Sequence, residues 1–354
     1  MRIEKRIQFI TETYLPDEYF NTVDLLFRKD NRYTVSSTYQ NGSWLSNQIE
    51  KPIFDLASLT KIITMTGILR LITEKRFGLE TRLSKLLPLS DRVQEINNIT
   101  VKELLTHSSG LRAWYPFYTL HPRSFLEALA DIDLKHHSDS KVVYSDLNYM
   151  LLGEIIKSIS EKNLSQFLQE NIVEPLNLPS LSYGSLKENP FVVSTEFGNR
   201  TERKMVQERH LLFDGWRSFE EAIHGEVNDG NAFYYFGGEA GHAGLFGTTD
   251  DLDKILALYL KGGQIEGNEF INQSLVKLSL NNLVGNRGLG WHSGEPFPTG
   301  FGHTGFTGTS IWLDPENSIT GIVLTNRLNV KEPRNVNGFR MEIHHEIQNS
   351  LKDT

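Results

Sequence analysis

Apolar and polar residues alternate between turn signals towards both ends of the chain, a pattern typical of β-strands. Residues 32–39 are rich in β-branched and aromatic side chains and precede Asn41 and Gly42, a pair that favours a β-hairpin turn. Residues 310–313 and 320–325 are short runs that are nearly all apolar. The pattern therefore predicts strands that come from opposite ends of the chain.

Helical spacing dominates the middle of the chain and returns after the last predicted strand. Ile62, Met65 and Ile68 recur every three residues within residues 59–71, which predicts a buried helix. Further helices are predicted at residues 101–106, at residues 148–157 and, near the end of the sequence, at about residues 337–351. Residues 180–245 have no clear period and are predicted to be rich in loops.

Strands on both sides of a helical middle predict an α+β fold in two parts. We expect residues 1–60 and 245–354 to form one split sheet domain, with strands and helices in layers. We expect residues 61–244 to form a mostly helical domain with long loops. The two parts would pack together as a single functional unit.

Composition removes several classes of chemistry. The chain of 354 residues contains no cysteine, which excludes a disulfide, a cysteine-based metal site and a thiol nucleophile. The net charge of −8 argues against a general nucleic-acid binder. No apolar run has the length of a membrane span, and the His-x-x-x-His spacing of a zinc hydrolase is absent. A nucleophile must therefore be an oxygen or nitrogen group, or depend on a bound metal.

The first residues give an expectation about location. They mix basic and acidic side chains, and no apolar run of signal-peptide length follows. We therefore expect a cytoplasmic protein that acts on small soluble molecules.

Ser58 and Lys61 form the first pattern with chemical content. Residues three apart on a helix share one face, so an ammonium group at position 61 can stabilise the charge that forms when the serine loses its proton. The same Ser-x-x-Lys spacing begins at Ser138 and Ser274, where a capping serine with a surface lysine is the simpler interpretation. Only Ser58 precedes a buried-helix pattern, which would draw Lys61 into the core and require a partner for its charge.

Tyr144 and Asp146 are candidate companions of Ser58. They lie in a short polar segment before a predicted helix. A tyrosine acts as a base only beside cations, and Lys61 is such a cation. An ordinary helix cap explains the same residues, so this motif alone leaves both interpretations open.

A third candidate element is the segment from Phe301 to Ser310, in which small residues alternate with larger ones. Small residues let a ligand approach a strand backbone, and a backbone N–H there could face that of Ser58 to form an oxyanion hole. His303 and Thr304 are then expected to point at the substrate. A glycine-rich hairpin is the alternative.

Taken in order, Ser58-x-x-Lys61, Tyr144-x-Asp146 and residues 303–305 resemble the three motifs of the β-lactamase and DD-peptidase superfamily of penicillin-recognising serine hydrolases. Further stretches are similar to the branch that contains class C β-lactamases, D-alanyl-D-alanine carboxypeptidases and carboxylesterases; they are residues 104–111, 238–246 and 288–291. The resemblance covers about residues 20 to 345. It implies a five-stranded antiparallel sheet flanked by helices, an inserted helical domain, and an active site in the cleft between them, with no metal or organic cofactor.

The resemblance also implies a role for each motif residue. Ser58 corresponds to the acylated serine, and Lys61 to the lysine that assists its deprotonation. Tyr144 corresponds to the proposed general base, which passes the proton to the leaving group. His303, Thr304 and Gly305 correspond to the substrate-binding strand. The backbone N–H of Phe306 would complete the oxyanion hole with that of the serine.

Two positions depart from the β-lactamase pattern. Asp146 stands where β-lactamases often have asparagine, and a carboxylate there would keep Lys61 charged. His303 stands where they usually have lysine, and a histidine is only partly charged near neutral pH. The first change suits electrostatic support of Tyr144 by a charged lysine, and the second disfavours efficient β-lactamase activity.

The sequence therefore predicts a serine hydrolase, of carboxylesterase type or acting on small peptides or amides, with weak or no β-lactamase activity. Its substrates would be small esters, amides or peptides, including cell-wall fragments or β-lactams. The alternatives are a D-alanyl-D-alanine carboxypeptidase or penicillin-binding protein, and a non-catalytic protein that binds or senses acyl ligands on the same fold. Arg340, in the last predicted helix, either binds a substrate carboxylate, which would favour a peptidase, or forms a surface salt bridge.

Overall fold

The computed structural model describes residues 2–30, 32–45, 50–135 and 141–351. Ser138, the second serine with the Ser-x-x-Lys spacing, lies outside the described residues. None of the helices within these ranges has both the length and the apolar character that a membrane span requires.

One antiparallel sheet of six strands organises the molecule, in the order β3-β2-β1-β10-β9-β8. Two pairs of very short strands, β4 with β5 and β6 with β7, lie outside it. The strands are β1 (Val23–Lys29), β2 (Arg32–Gln40), β3 (Ser43–Leu45), β4 (Phe54–Asp55), β5 (Phe246–Gly247), β6 (Gln264–Ile265), β7 (Asn268–Glu269), β8 (Phe301–Thr304), β9 (Ser310–Asp314) and β10 (Ile319–Thr325). The sheet has one strand more than the five implied by the resemblance, because β3 extends its edge by three residues.

Helices cover both faces of the sheet and fill the middle of the chain. They are α1 (Ile3–Tyr14), α2 (Thr60–Thr73), α3 (Val101–Leu105), α4 (Phe125–Ala128), α5 (Asp146–Ser160), α6 (Leu164–Leu168), α7 (Glu174–Leu176), α8 (Arg200–Glu208), α9 (Thr249–Leu260), α10 (Gln273–Ser279) and α11 (Asn337–Leu351). Single 3₁₀ turns connect several of them, and the one that matters for the site is Ala57–Leu59, directly before α2.

Side-chain alternation along the strands explains why the sheet is buried on both faces. Leu25 and Phe27 of β1 pack with α1 and α11, whereas Leu26 points to the opposite face, where it joins the core formed by α2, α5 and α9. Strands with two covered faces need apolar residues at successive positions, which is why residues 320–325 form an almost unbroken apolar run.

The predicted α+β fold is confirmed, and so are the hairpin at Asn41 and Gly42 and the helices that became α2, α3, α5 and α11. Helix α8 lies in the region predicted to be loops. It has few apolar residues and buries only Glu202 and Val206, so no apolar stripe marks it in the sequence. The division into domains at residues 60 and 245 stays a prediction.

Candidate active site

A strained turn carries Ser58 from β4 into α2. Ala57 has a φ of 46°, in the left-handed region that non-glycine residues rarely adopt. The buried carboxylate of Asp55 holds this turn: it accepts the N–H of Ala57 at 2.8 Å and that of Asn228 at 2.6 Å. Burial raises the pKa of Asp55 to about 6, although the two N–H donors oppose that rise.

Lys61 lies in the first turn of α2 and is fully buried, as its position in an apolar pattern predicts. Its Nζ donates hydrogen bonds to Ser58 Oγ at 2.9 Å and to the carbonyl of His242 at 3.1 Å. It also forms an ion pair with Asp146 Oδ1 at 2.8 Å. Burial by itself would lower the pKa of Lys61, but the charge of Asp146 and the neighbouring hydroxyl of Tyr144 raise it above its ordinary value. The lysine is therefore an ammonium ion that donates to the serine oxygen.

Tyr144 lies just before α5, and two cations face its ring. Lys61 Nζ is 5.1 Å from the ring centroid, and the guanidinium carbon of Arg287 is 5.4 Å from it. The ring of His107 packs against it at 4.6 Å between centroids, and the Nδ1 of this histidine accepts the backbone N–H of Ser145 at 3.1 Å. Two cations this close can stabilise negative charge on the phenol oxygen.

The strand β8 and the residues after it form the opposite wall. Gly305 is required there by close packing, because a Cβ atom at this position would lie 2.0 Å from the hydroxyl of Thr309 and 2.9 Å from the carbonyl oxygen of Leu56. Among the described residues, neither the backbone N–H of Ser58 nor that of Phe306 donates a hydrogen bond. Two free N–H groups on one cavity can stabilise an oxyanion.

His303 does not face this cavity, contrary to the expectation that it points at the substrate with Thr304. Adjacent side chains of a strand point to opposite faces, so only one of the two can line the cavity, and Thr304 does. His303 is 2 % exposed and lies behind Tyr144, with 5.9 Å between the ring centroids. Burial, and after it the charges nearby, of which Lys61 and Arg287 are two, lower its pKa well below the ordinary value. The histidine is therefore neutral at physiological pH.

These elements enclose a cavity of about 430 Å³. Six of the eight site residues predicted from the sequence line it: Ser58, Tyr144, Asp146, Thr304, Gly305 and Phe306. Lys61 lies beneath Ser58, and His303 lies outside. The described residues contain no group of three or more His, Asp or Glu side chains arranged to hold a metal ion.

One side of the cavity is cationic. Arg340 of α11 is 4 % exposed and donates to the carbonyl groups of Thr309 at 2.7 Å and Gly305 at 3.3 Å. Arg327 lines the same side and donates to the carbonyl of Phe306 at 2.7 Å. Burial and then the neighbouring charge of Arg327 lower the pKa of Arg340 to about 9. Within the described residues neither arginine forms an ion pair, so the surface salt bridge considered for Arg340 is wrong.

The other side of the cavity is acidic. Glu202 Oε1 accepts the hydroxyl of Tyr118 at 2.7 Å, and its Oε2 accepts the backbone N–H of Gly230 at 2.8 Å. Asp229 Oδ1 accepts from His242 Nε2 at 3.0 Å. Burial, and then the charge of Asp229, raise the pKa of Glu202 to about 8. Apart from Asp146, which is paired with Lys61, the cavity thus has two arginines on one side and two carboxyl groups on the other.

Comparisons with known proteins agree with this geometry. The family model described as "Beta-lactamase" matches residues 50–345. The chain belongs to the β-lactamase family. It is a serine hydrolase.

Relatives in the β-lactamase family carry several activity names. An Escherichia coli K12 protein named "Putative D-alanyl-D-alanine carboxypeptidase" is 29 % identical over 351 residues, covering 88 % of this chain and 79 % of that protein. An N-acetylmuramyl-L-alanine amidase of Bacillus subtilis strain 168 is 28 % identical over 330 residues, covering 83 % and 73 %. The solved structure of "EstCE1, a hydrolase with promiscuous acyltransferase activity" superposes with a TM-score of 0.71 at 18 % identity and covers 98 % of both chains. This last likeness concerns the fold.

Sequence reasoning missed the residues that give the cavity its charge pattern. Asn228, Asp229 and Glu202 come from segments without a period, and Arg287 lies in an irregular connection before β8. The one available signal was the acidic stretch at residues 220–229, to which no role could be assigned without its folded position.

The raised pKa of Glu202 makes stability depend on pH. The pKa of this carboxyl group is ordinarily 4.5, and in the folded chain it is about 8. As pH rises, the unfolded chain therefore loses this proton at a lower pH than the folded chain. The free energy of unfolding then falls between pH 4.5 and 8. A glutamine can donate to Tyr118 and accept from Gly230, so Glu202→Gln should remove this fall. We expect the melting temperature of the variant to exceed that of the wild type increasingly up to pH 8.

The matched control is Glu208→Gln, an exposed position on the same helix. Its melting temperature should follow that of the wild type at every pH. A constant difference between Glu202→Gln and the wild type from pH 5 to 8.5 would contradict the assignment of this proton.

Proposed function

We propose that this serine hydrolase cleaves an amide bond in a short peptide that carries a carboxylate close to the scissile bond, through an acyl intermediate on Ser58. One observation carries the proposal: the buried cation Arg340 lines the cavity beside Ser58 and, among the described residues, has no carboxylate partner. A buried charge requires a counter-charge, and a substrate carboxylate supplies it.

The contacts around Ser58 support a division of labour in acylation. Lys61 is charged and donates to the serine oxygen, so it stabilises the alkoxide instead of accepting the proton. Tyr144 takes that proton as a phenolate, a form that the nearby cations Lys61 and Arg287 stabilise. The serine oxygen then forms a bond to the substrate carbonyl carbon. The developing oxyanion is stabilised by the N–H groups of Ser58 and Phe306.

The same groups complete the cycle. Tyr144 passes its proton to the amide nitrogen as the carbon–nitrogen bond breaks, and the amine leaves. A water molecule then attacks the acyl-serine ester, giving its proton to Tyr144 and forming a second oxyanion in the same hole. Collapse of this intermediate releases the carboxylic acid and returns the proton to Ser58.

The named relatives are consistent with an amide substrate. A carboxypeptidase and an N-acetylmuramyl-L-alanine amidase both break amide bonds. Peptides derived from the cell wall are therefore the first substrates to test. At 28–29 % identity these names point to a reaction class.

An ester substrate is the second candidate, and a specific observation favours it: Trp114, Met205 and Phe306 give the cavity an apolar wall that suits an acyl chain. β-Lactam turnover is expected to be slow. In place of the permanent cation at the third motif the chain has the neutral His303, which cannot pair with the carboxylate of a penicillin.

Arg340→Gln tests the carboxylate. Each peptide is compared as the free C-terminal carboxylate and as the C-terminal amide. The kcat/KM of the carboxylate form divided by that of the amide form should fall about tenfold to a hundredfold in the variant, the effect of one charged hydrogen bond. Arg340→Lys should retain part of the preference because it keeps the charge. The measurement is steady-state hydrolysis of the paired peptides.

Arg334→Gln serves as the control, since this arginine is exposed and its guanidinium lies 3.8 Å from Asp17. An unchanged ratio in Arg340→Gln would refute carboxylate recognition by this residue. Fast hydrolysis of p-nitrophenyl acyl esters with no cleavage of any peptide would favour the esterase.

A further inference from the structure

The carboxyl groups on the acidic side of the cavity have no close lysine or arginine partner within the described residues, although the charge of Lys61 acts on Asp229. Within the described residues, no lysine or arginine forms an ion pair with Glu202 or Asp229, and the Asp229 carboxylate pairs only with His242. The charge of Arg217 interacts with that of Glu202. Its guanidinium donates to the carbonyl of Val227 at 2.8 Å, and the residue does not line the cavity.

Asn228 supplies a second and independent observation. It lines the cavity beside Asp229 and is 3 % exposed. Its Oδ1 is buried and has no hydrogen-bond partner among the described residues. A buried polar atom left without a partner destabilises a protein, so such an atom at a cavity wall marks a position that a polar ligand can satisfy.

The backbone of this segment is fixed from several sides, so the acceptors are held in place. The N–H of Asn228 donates to Asp55, the same carboxylate that holds the turn before Ser58. The N–H of Gly230 donates to Glu202. His242, the partner of Asp229, presents its carbonyl to Lys61. The acidic side is therefore connected to both Ser58 and Lys61 by one or two contacts.

We propose that Asn228, Asp229 and Glu202 form a subsite for an ammonium group of the substrate. The inference rests on the proposed function and narrows it: the substrates are short dipolar peptides whose free amino group lies on the acidic side while a carboxylate lies near Arg340. The turn before Ser58 is connected to both sides: Asp55 accepts the N–H of Asn228, and Leu56 accepts the hydroxyl of Thr309, whose carbonyl accepts from Arg340.

The proton on Glu202 supports this assignment. In the empty cavity two carboxyl groups share a buried site, and the repulsion between them helps to keep one of them protonated. An ammonium ion relieves that repulsion, because its positive charge stabilises the ionised form of both carboxyl groups. Binding of such a substrate should therefore release a proton at neutral pH.

Two readouts test the subsite, and one of them needs no turnover. The first is protection, the decrease in fluorophosphonate labelling of Ser58 when a peptide is present. D-alanyl-D-alanine and L-alanyl-L-alanine are compared with their N-acetyl forms. The second is the hydrolysis rate of the same four peptides. We expect the free peptides to compete about tenfold to a hundredfold better than the acetylated ones, and to be cleaved better by the same factor. In Glu202→Gln the ratio of free to acetylated peptide should be close to one. Glu208→Gln should keep the wild-type ratio.

The outcomes separate this inference from the proposed function. Equal protection by free and acetylated peptides, or a ratio that survives both Glu202→Gln and Asp229→Asn, overturns the ammonium subsite even if amides are cleaved. Selective protection by the free peptides without any cleavage supports the subsite and overturns the amide hydrolase.

Discussion

Ser58→Ala is expected to abolish both hydrolysis and covalent labelling. A fluorophosphonate or penicillin probe should add one adduct to the wild-type chain, detected by intact mass, and none to the variant. Among the described residues that line the cavity, only Ser58 combines a hydroxyl beside two free N–H groups with an ammonium donor at 2.9 Å. The hydrolysis rate of the variant should be at least about 10³-fold lower than that of the wild type.

The chain provides its own control for this experiment. Ser274 and Lys277 have the same spacing, but both are exposed, and the backbone N–H of Ser274 donates to the side chain of Asn272, which caps the helix. Ser274→Ala should label and turn over like the wild type. An adduct that persists in Ser58→Ala would show that the nucleophile has been assigned to the wrong residue, and one stable adduct without turnover would favour a sensor of acyl ligands.

Lys61→Met should lower kcat/KM by about 10³-fold or more, since serine, lysine and tyrosine act as one unit and their losses are not additive. Removal of the ammonium leaves the Asp146 carboxylate without its cation, and a loss of about 1–3 kcal/mol in unfolding free energy is expected. The measurements are steady-state kinetics and denaturant unfolding.

A double variant separates the two effects. In Lys61→Met with Asp146→Asn no unpaired charge remains, so stability should return towards that of the wild type while activity stays lost. Lys277→Met, on the surface, should change neither quantity. If the double variant regained hydrolysis, Lys61 would serve only to neutralise Asp146.

The sequence was most informative where function depends on neighbouring residues of one helix. Ser58 and Lys61 are three residues apart, and the apolar pattern around them predicted correctly that the lysine would be buried. Strands β9 and β10 could be predicted because two covered faces favour apolar residues at most successive positions. These signals are local, so no folded structure was needed to detect them.

Tertiary placement accounts for what the sequence could not provide. His303 and Thr304 were expected to face the same way, and the alternation of a strand prevents it. Glu202 and Asp229 are 27 positions apart in segments without a period, and tertiary contacts such as the hydrogen bond from Gly230 to Glu202 bring them together. Arg287 approaches Tyr144 from a connection between α10 and β8 whose course only the folded chain reveals.

The pairing of β1 with β10 has a consequence for biosynthesis. Val23 lies opposite Thr325, so a ribosome must make about three hundred further residues before β1 finds its partner on that side. Until then the apolar side chains on both faces of β1 have no complete cover, and pairing across such a distance is slow. We expect the sheet to be completed only after β10 has been made, and nascent chains to depend on chaperones that shield the first hairpin.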